Sequence, residues 1–181
     1  WVDVHNGNDG NNGLTSSTAF KTIQYVFSNA NSLLSSSTAD TIKVLPSITS
    51  SNPNGYYDFG GNEININSSR NFVMIGIAGA DSTIFNAEEK NRHFQINTSQ
   101  DESTVIQGIK FINGKKDYSG GSIYLSESSI SFKNCIFEDN SVTDQGGAIY
   151  IAGQSTPSFE LCSFVNNKVL TGNTDQTGEG G

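Results

Sequence analysis

The chain has 181 residues, a formal net charge of −8 and only 34% hydrophobic residues. One domain with a continuous core fits that length, while the acidic balance, with no stripe of Lys or Arg, argues against a nucleic-acid partner. No run approaches the ~20 apolar residues of a membrane helix, so no membrane insertion is expected of this segment.

Trp1-Val2-Asp3-Val4 begins as a strand and runs into Asn6–Gly13, a loop dense in residues that tolerate φ > 0. Phe20, Ile23, Phe27 and Ala30 then recur at one-face helical spacing, with Ser17 or Thr18 as candidate N-cap. A short amphipathic helix before a repeat array has a physical use, because it covers the apolar cross-section and unpaired strand edges at the end of a stack. Residues 1–40 are therefore expected to form an N-terminal cap of strand, Asn/Gly loop and helix.

From Thr41 the chain predicts short strands between turns. Ile42-Lys43-Val44-Leu45 comes first, followed by a long loop, Pro46–Gly61, carrying Tyr56, Tyr57 and Phe59. Asn62–Asn67 alternates strictly, turning Ile64 and Ile66 inward. Phe72–Ile77, Ser82–Phe85, His93–Ile96 and Val105–Phe111 follow, each taken as one strand.

The strongest signal comes next. Gly120-Gly121-Ser122-Ile123-Tyr124-Leu125 returns as Gly146-Gly147-Ala148-Ile149-Tyr150-Ile151, and Cys135-Ile136-Phe137-Glu138-Asp139-Asn140 returns as Cys162-Ser163-Phe164-Val165-Asn166-Asn167. An imperfect repeat of this length, made of β-branched and aromatic runs between Gly and Asn, means one coil stacked on the next. The expected fold is all-β, a right-handed parallel β-helix over residues 41–181 that continues past the chain end, where Gly178–Gly181 resembles the opening of a third Gly-Gly phrase. Tight two-residue hairpins, which a β-sandwich would want, are scarce.

Register then assigns internal ladders. Phe111, Phe137 and Phe164 form an aromatic stack, and Asn140 and Asn167 sit at a corner where each can satisfy its own turn and its counterpart. Gly114 leaves that ladder incomplete in the earliest coil. Cys135 and Cys162 fall one above the other. A rung spacing of about 4.8 Å lies within the disulfide range, but parallel neighbours with aligned Cβ vectors favour an inward thiol ladder. Tyr124 and Tyr150 face outward on successive coils, suited to sugar or protein contact or to a cross-rung pair.

Other groups carry weaker signals. His5 and His93 lack a nucleophile or metal partner at meaningful spacing, and His93 is expected as an exposed turn residue. Arg70 and Arg92 are expected to be solvated. The Asn6–Gly13 loop offers Ca²⁺ the carboxylates of Asp3 and Asp9 but lacks EF-hand spacing, so a tight turn is preferred and no cofactor is expected. Asn67-Ser68-Ser69 and Asn97-Thr98-Ser99 are sequons, making Asn67 and Asn97 candidate glycosylation sites.

The Gly-Gly-Ala-Ile phrase (146–149), its variant at 120–123, and the Phe-x-x-Asn phrases at 137–140 and 164–167 resemble the repeats of chlamydial polymorphic outer-membrane proteins, which are autotransporter adhesins. The stretch from Val2 to Gln24 is similar to the start of secreted β-helix proteins of the pectin-lyase-like superfamily. These resemblances imply a secreted or cell-surface β-helix acting as adhesin passenger, stalk or fibre subunit. The partners implied are a host or neighbouring-cell surface protein or glycan, with self-association through an open end. The alternative is a polysaccharide lyase or hydrolase, or a carbohydrate-binding module. Asn173-Thr174-Asp175 resembles one polygalacturonase phrase, but its companion phrases are absent.

Overall fold

A computed structural model describes residues 1–170. The backbone winds into stacked coils, each contributing one short strand to three or four parallel sheets. The first coil holds β1 (Asp40–Val44), β2 (Tyr57–Asp58) and β3 (Ile64–Ile66), and the second β4 (Phe72–Gly76), β5 (Ile84–Asn86) and β6 (Phe94–Ile96). The third holds β7 (Val105–Gln107), β8 (Lys110–Ile112), β9 (Lys115–Lys116) and β10 (Ile123–Ser126). The fourth holds β11 (Ser131–Lys133), β12 (Ile136–Glu138), β13 (Ser141–Val142) and β14 (Ile149–Ala152). A fifth begins with β15 (Ser158–Glu160), β16 (Ser163–Val165) and β17 (Lys168–Val169). The sheets run β1-β4-β7-β11-β15, β2-β5-β8-β12-β16, β9-β13-β17 and β3-β6-β10-β14. Cross-coil partners in the later turns lie 26 or 27 residues apart, the period of the repeated phrases.

Alternation builds the core. Tyr57, Phe85, Phe111, Phe137 and Phe164 occupy one register, and ring centroids of successive members are 5.0–5.5 Å apart. Phe132 and Phe159 stack in the neighbouring sheet, with centroids 5.2 Å apart. Each fully buried Phe contributes about 1.5–3 kcal/mol. Phe137 is fully buried, whereas Phe164 is 48% exposed because no described coil stands on it.

Corners decide where the chain turns. Asn113, Asp139 and Asn166 are left-handed, at φ 55, 53 and 54°, each followed by the corner residue Gly114, Asn140 or Asn167. The other tight corner uses Gly108, Asn134 and Leu161 at φ 65, 51 and 53°, followed by Ile109, Cys135 and Cys162. Asn, Asp and Gly are the residues this conformation tolerates best. Val105–Phe111, expected as one strand, is therefore two, β7 and β8, bent at Gly108.

The cap lies on the first coil. Val2 bridges in parallel to both Val44 and Phe20, closing the edge of β1. Two short helices, α1 (Ile23–Ser28) and α2 (Ala30–Leu33), follow. Phe27 packs edge-on against Phe72 at 5.0 Å and Phe94 at 5.9 Å. The N-cap is Thr22 rather than Ser17 or Thr18, its hydroxyl accepting from the Tyr25 N–H at 3.1 Å. Ser16–Thr18 is instead a 3₁₀ turn, and Phe20 precedes the helix. Asp9 sets this start, accepting from the Lys21 and Thr22 N–H groups and the Thr22 hydroxyl at 2.8–3.0 Å.

Candidate functional site: the internal ladders and the Arg92 corner

The corner asparagines, Asn140 buried and Asn167 half-buried, are hydrogen-bond relays. The Asn140 amide donates to the Phe111 carbonyl at 3.1 Å and to Asn167 Oδ1 at 2.9 Å, while its Oδ1 accepts the Gly114 N–H at 2.8 Å. Asn167 repeats the pattern one coil on, donating to Phe137 O at 2.9 Å. Gly114 lacks the side chain but keeps its place through its backbone donor. Cys135 and Cys162 are free thiols in equivalent positions, directed at Ile106 O and Phe132 O of the preceding coil at 3.4 and 3.5 Å. Contact with Cys162 and then burial raise the Cys135 pKa, and the bond from Cys135 lowers that of Cys162.

The Gly-Gly phrases are backbone requirements. Gly120 and Gly146 have φ of 75 and 67°. A Cβ on Gly121 would lie 2.1 Å from the Gly147 carbonyl oxygen, so coils meet there backbone to backbone. The second coil has no such phrase. Phe94 pairs with Ile123, which puts His93 beside Ser122 and Arg92 beside Gly121, and the large side chains fill the corner that glycines close later.

Neither residue is where sequence reasoning put it. His93 is fully buried, not an exposed turn residue, with edge-on contacts to Phe59 at 5.1 Å and Phe111 at 5.3 Å. Its Nε2 lies 3.0 Å from the Phe85 carbonyl, which can only accept, so Nε2 carries the proton and Nδ1 accepts from the Ser122 hydroxyl at 3.0 Å. Burial lowers its pKa to about 4, against hydrogen bonds that oppose the shift. Arg92 is likewise buried rather than solvated: its side chain is 6% exposed, with Nε 3.1 Å from Glu63 Oε2 and the guanidinium 5.3 Å from the Tyr124 ring. Lys116 Nζ meets the same Glu63 oxygen at 3.0 Å and Asn91 Oδ1 at 2.7 Å. Glu63, Arg92 and Lys116 thus join the first three coils at one corner. Lys116 shares register with Val142 and Val169, so charge replaces a hydrophobic column there. Burial, partly offset by Glu63, lowers the Arg92 pKa. Arg70 is half-buried, and its Nη1 donates to Leu34 O at 2.7 Å.

Two of the longer connecting stretches, Pro46–Gly61 and Asn86–Arg92, are partly internal. Tyr57 and Phe59, in the long Pro46–Gly61 stretch, are core residues, and the Tyr57 hydroxyl donates to Leu45 O at 2.9 Å. In Asn86–Arg92, Ala87 and Arg92 are buried, and Glu88 accepts from the Tyr56 hydroxyl at 2.6 Å. Asp3 accepts from the His5 N–H at 2.9 Å and the Asn6 amide at 3.2 Å, so both carboxylates offered to Ca²⁺ make local bonds. Among the described residues no three His, Cys, Asp or Glu side chains come together. Asn67 and Asn97 are exposed on adjacent coils. Asn67 lines a cleft of about 400 Å³ between the cap and the fourth sheet, with Phe27, Asn31 and Asn65. A second cleft, of about 570 Å³, is lined by Ser, Thr, Asn and Arg70. Asn173–Asp175 lies outside the described residues.

The geometry defines a parallel β-solenoid closed by a helical cap, with no described helix long and apolar enough to cross a membrane. Residues 134–152, from the tight corner before β12 to the end of β14, match the family model of the Chlamydia polymorphic membrane protein (Chlamydia_PMP) repeat. No curated protein and no solved structure matches the chain.

Proposed function

We propose that the chain is the capped β-helical portion of a surface-displayed, autotransporter-like protein. It serves there as a non-catalytic stalk or adhesive passenger whose partners are surface proteins or glycans. The match of residues 134–152 to a surface-protein repeat carries the reading, because those residues form the unit that stacks. The aromatic ladder ties each coil to the next and the Asn corner bonds the third to fifth coils together, as a stiff rod requires. His93, sealed between Phe59 and Phe111, is committed to packing. Self-association would not use the capped end, which Val2 and the helices cover. Two measurements test the reading. Protease shaving and antibody labelling of intact cells that make the protein should detect it outside the cell. Incubation with acidic polysaccharides should release no reducing or unsaturated ends, and turnover there would overthrow the non-catalytic assignment.

A further inference from the structure

Three residues at the Arg92 corner meet in a way that ion pairing alone does not require. Lys116 Nζ lies 2.7 Å from the side-chain carbonyl oxygen of Asn91, closer than its 3.0 Å to Glu63 Oε2. Glu63 comes from the first coil, Asn91 from the second and Lys116 from the third. Backbone donors hold the arrangement. The Lys115 N–H donates to the Asn91 main-chain carbonyl at 3.0 Å, and the Arg92 N–H donates to Asn91 Oδ1 at 3.0 Å. Glu63, Asn91 and Lys116 are all half-buried, and Arg92, itself against the Tyr124 ring, packs beside Glu63.

An amine, an amide carbon and a carboxylate held in contact are the parts of an acyl transfer. With a C=O bond of about 1.23 Å, Asn91 Cγ stands at most about 4 Å from Lys116 Nζ. That is close to the ~3–3.5 Å of a reacting pair. The Asn91 carbonyl oxygen already accepts from the Arg92 N–H, a fixed donor where negative charge would develop during attack. Glu63 touches the attacking nitrogen and can carry protons from it. Charge points the same way. Arg92 and Lys116 share a single carboxylate oxygen, Glu63 Oε2, which leaves two cations to one anion. Turning the Lys116 amine into an amide would leave a matched Arg92–Glu63 pair.

We propose that Lys116 and Asn91 form an isopeptide bond, with Glu63 as the proton carrier. The Lys116 ammonium passes one proton to Glu63, and the freed lone pair attacks Asn91 Cγ. Glu63 returns that proton to Asn91 Nδ2, the Cγ–Nδ2 bond breaks, and ammonia leaves. Nζ then gives its surplus proton to Glu63, which releases it to solvent. The net loss is one ammonium ion, and no oxidant or co-reactant is needed. The bond ties the second coil to the third across 25 residues. It goes beyond the displayed, non-catalytic reading and needs only the folded chain. Intact-mass spectrometry of the purified full chain should find it lighter than its sequence by one ammonia. Proteolytic mapping should find the Asn91 and Lys116 peptides joined. Lys116→Arg and Glu63→Gln, each checked for an unchanged circular dichroism spectrum, should keep their full sequence masses and yield no joined peptide. A wild-type chain still at its full sequence mass after prolonged incubation at neutral pH refutes the bond, whatever the variants do. So does ammonia loss without a joined peptide, the mark of succinimide formation at a step such as Asn54-Gly55. A joined peptide in Glu63→Gln would overturn the proton route.

Discussion

His93 shows how one side chain can set the acid tolerance of the stack. Its imidazole is buried neutral with a pKa of about 4, below the ordinary value of 6.5. The unfolded chain therefore takes up a proton first as pH falls, so the stability present above about pH 6.5 drains away down to about pH 4. The effect is on the order of 3 kcal/mol. Thermal melts between pH 7 and 4 should show this loss, and His93→Gln should flatten that part of the profile; parallel profiles for both proteins would refute the assignment. Leu161 offers an opposite case. It is 79% exposed and held at φ 53°, where its repeat counterparts are Gly108 and Asn134. A bulky side chain in the left-handed region costs about 1–2 kcal/mol. Leu161→Asn should accordingly raise stability by about 0.5–1 kcal/mol in urea titration, and Asn134→Leu should lower it.

At the scale of elements, the corner after each Phe strand is the weak point of the design. Asn140→Ala removes the acceptor of the Gly114 N–H and both donors given to Phe111 O and Asn167. Groups left buried without partners cost about 1–3 kcal/mol each, so a loss of about 2–4 kcal/mol is expected, measurable as a drop in Tm. These corners were legible in the sequence because Phe137-x-x-Asn140 and Phe164-x-x-Asn167 repeat visibly and period-two alternation does the rest. The Arg92 corner was not. Glu63 and Lys116 meet across 53 residues with no repeated phrase to link them, and Asn91-Arg92-His93-Phe94 looks like a polar turn unless it is aligned with Gly120-Gly121-Ser122-Ile123. That alignment, offset by 29 residues as in the His93–Ser122 bond, was the available signal. Tyr57 and Phe59 were hidden for a related reason. The strand that places Tyr57 inward is only two residues long, too short to show alternation.

At the scale of the whole molecule, Val2 and the short helices close one end of the core. Local stability should be greatest where a strand is paired on both sides. In hydrogen exchange, amides of β4, β5 and β8, each paired on both sides, are expected to be slower than those of the connecting loops, and uniform protection would contradict the stacked fold. The helical lid also limits how such a protein changes length over generations. Whole turns of 26 or 27 residues, the spacing of the cross-coil bonds, can be duplicated or deleted on the side away from the lid while every inward position stays inward. A gain or loss of one residue within a strand would swap its two faces and expose the apolar one. The lid thus fixes a starting point, and the chain counts outward from it in complete windings.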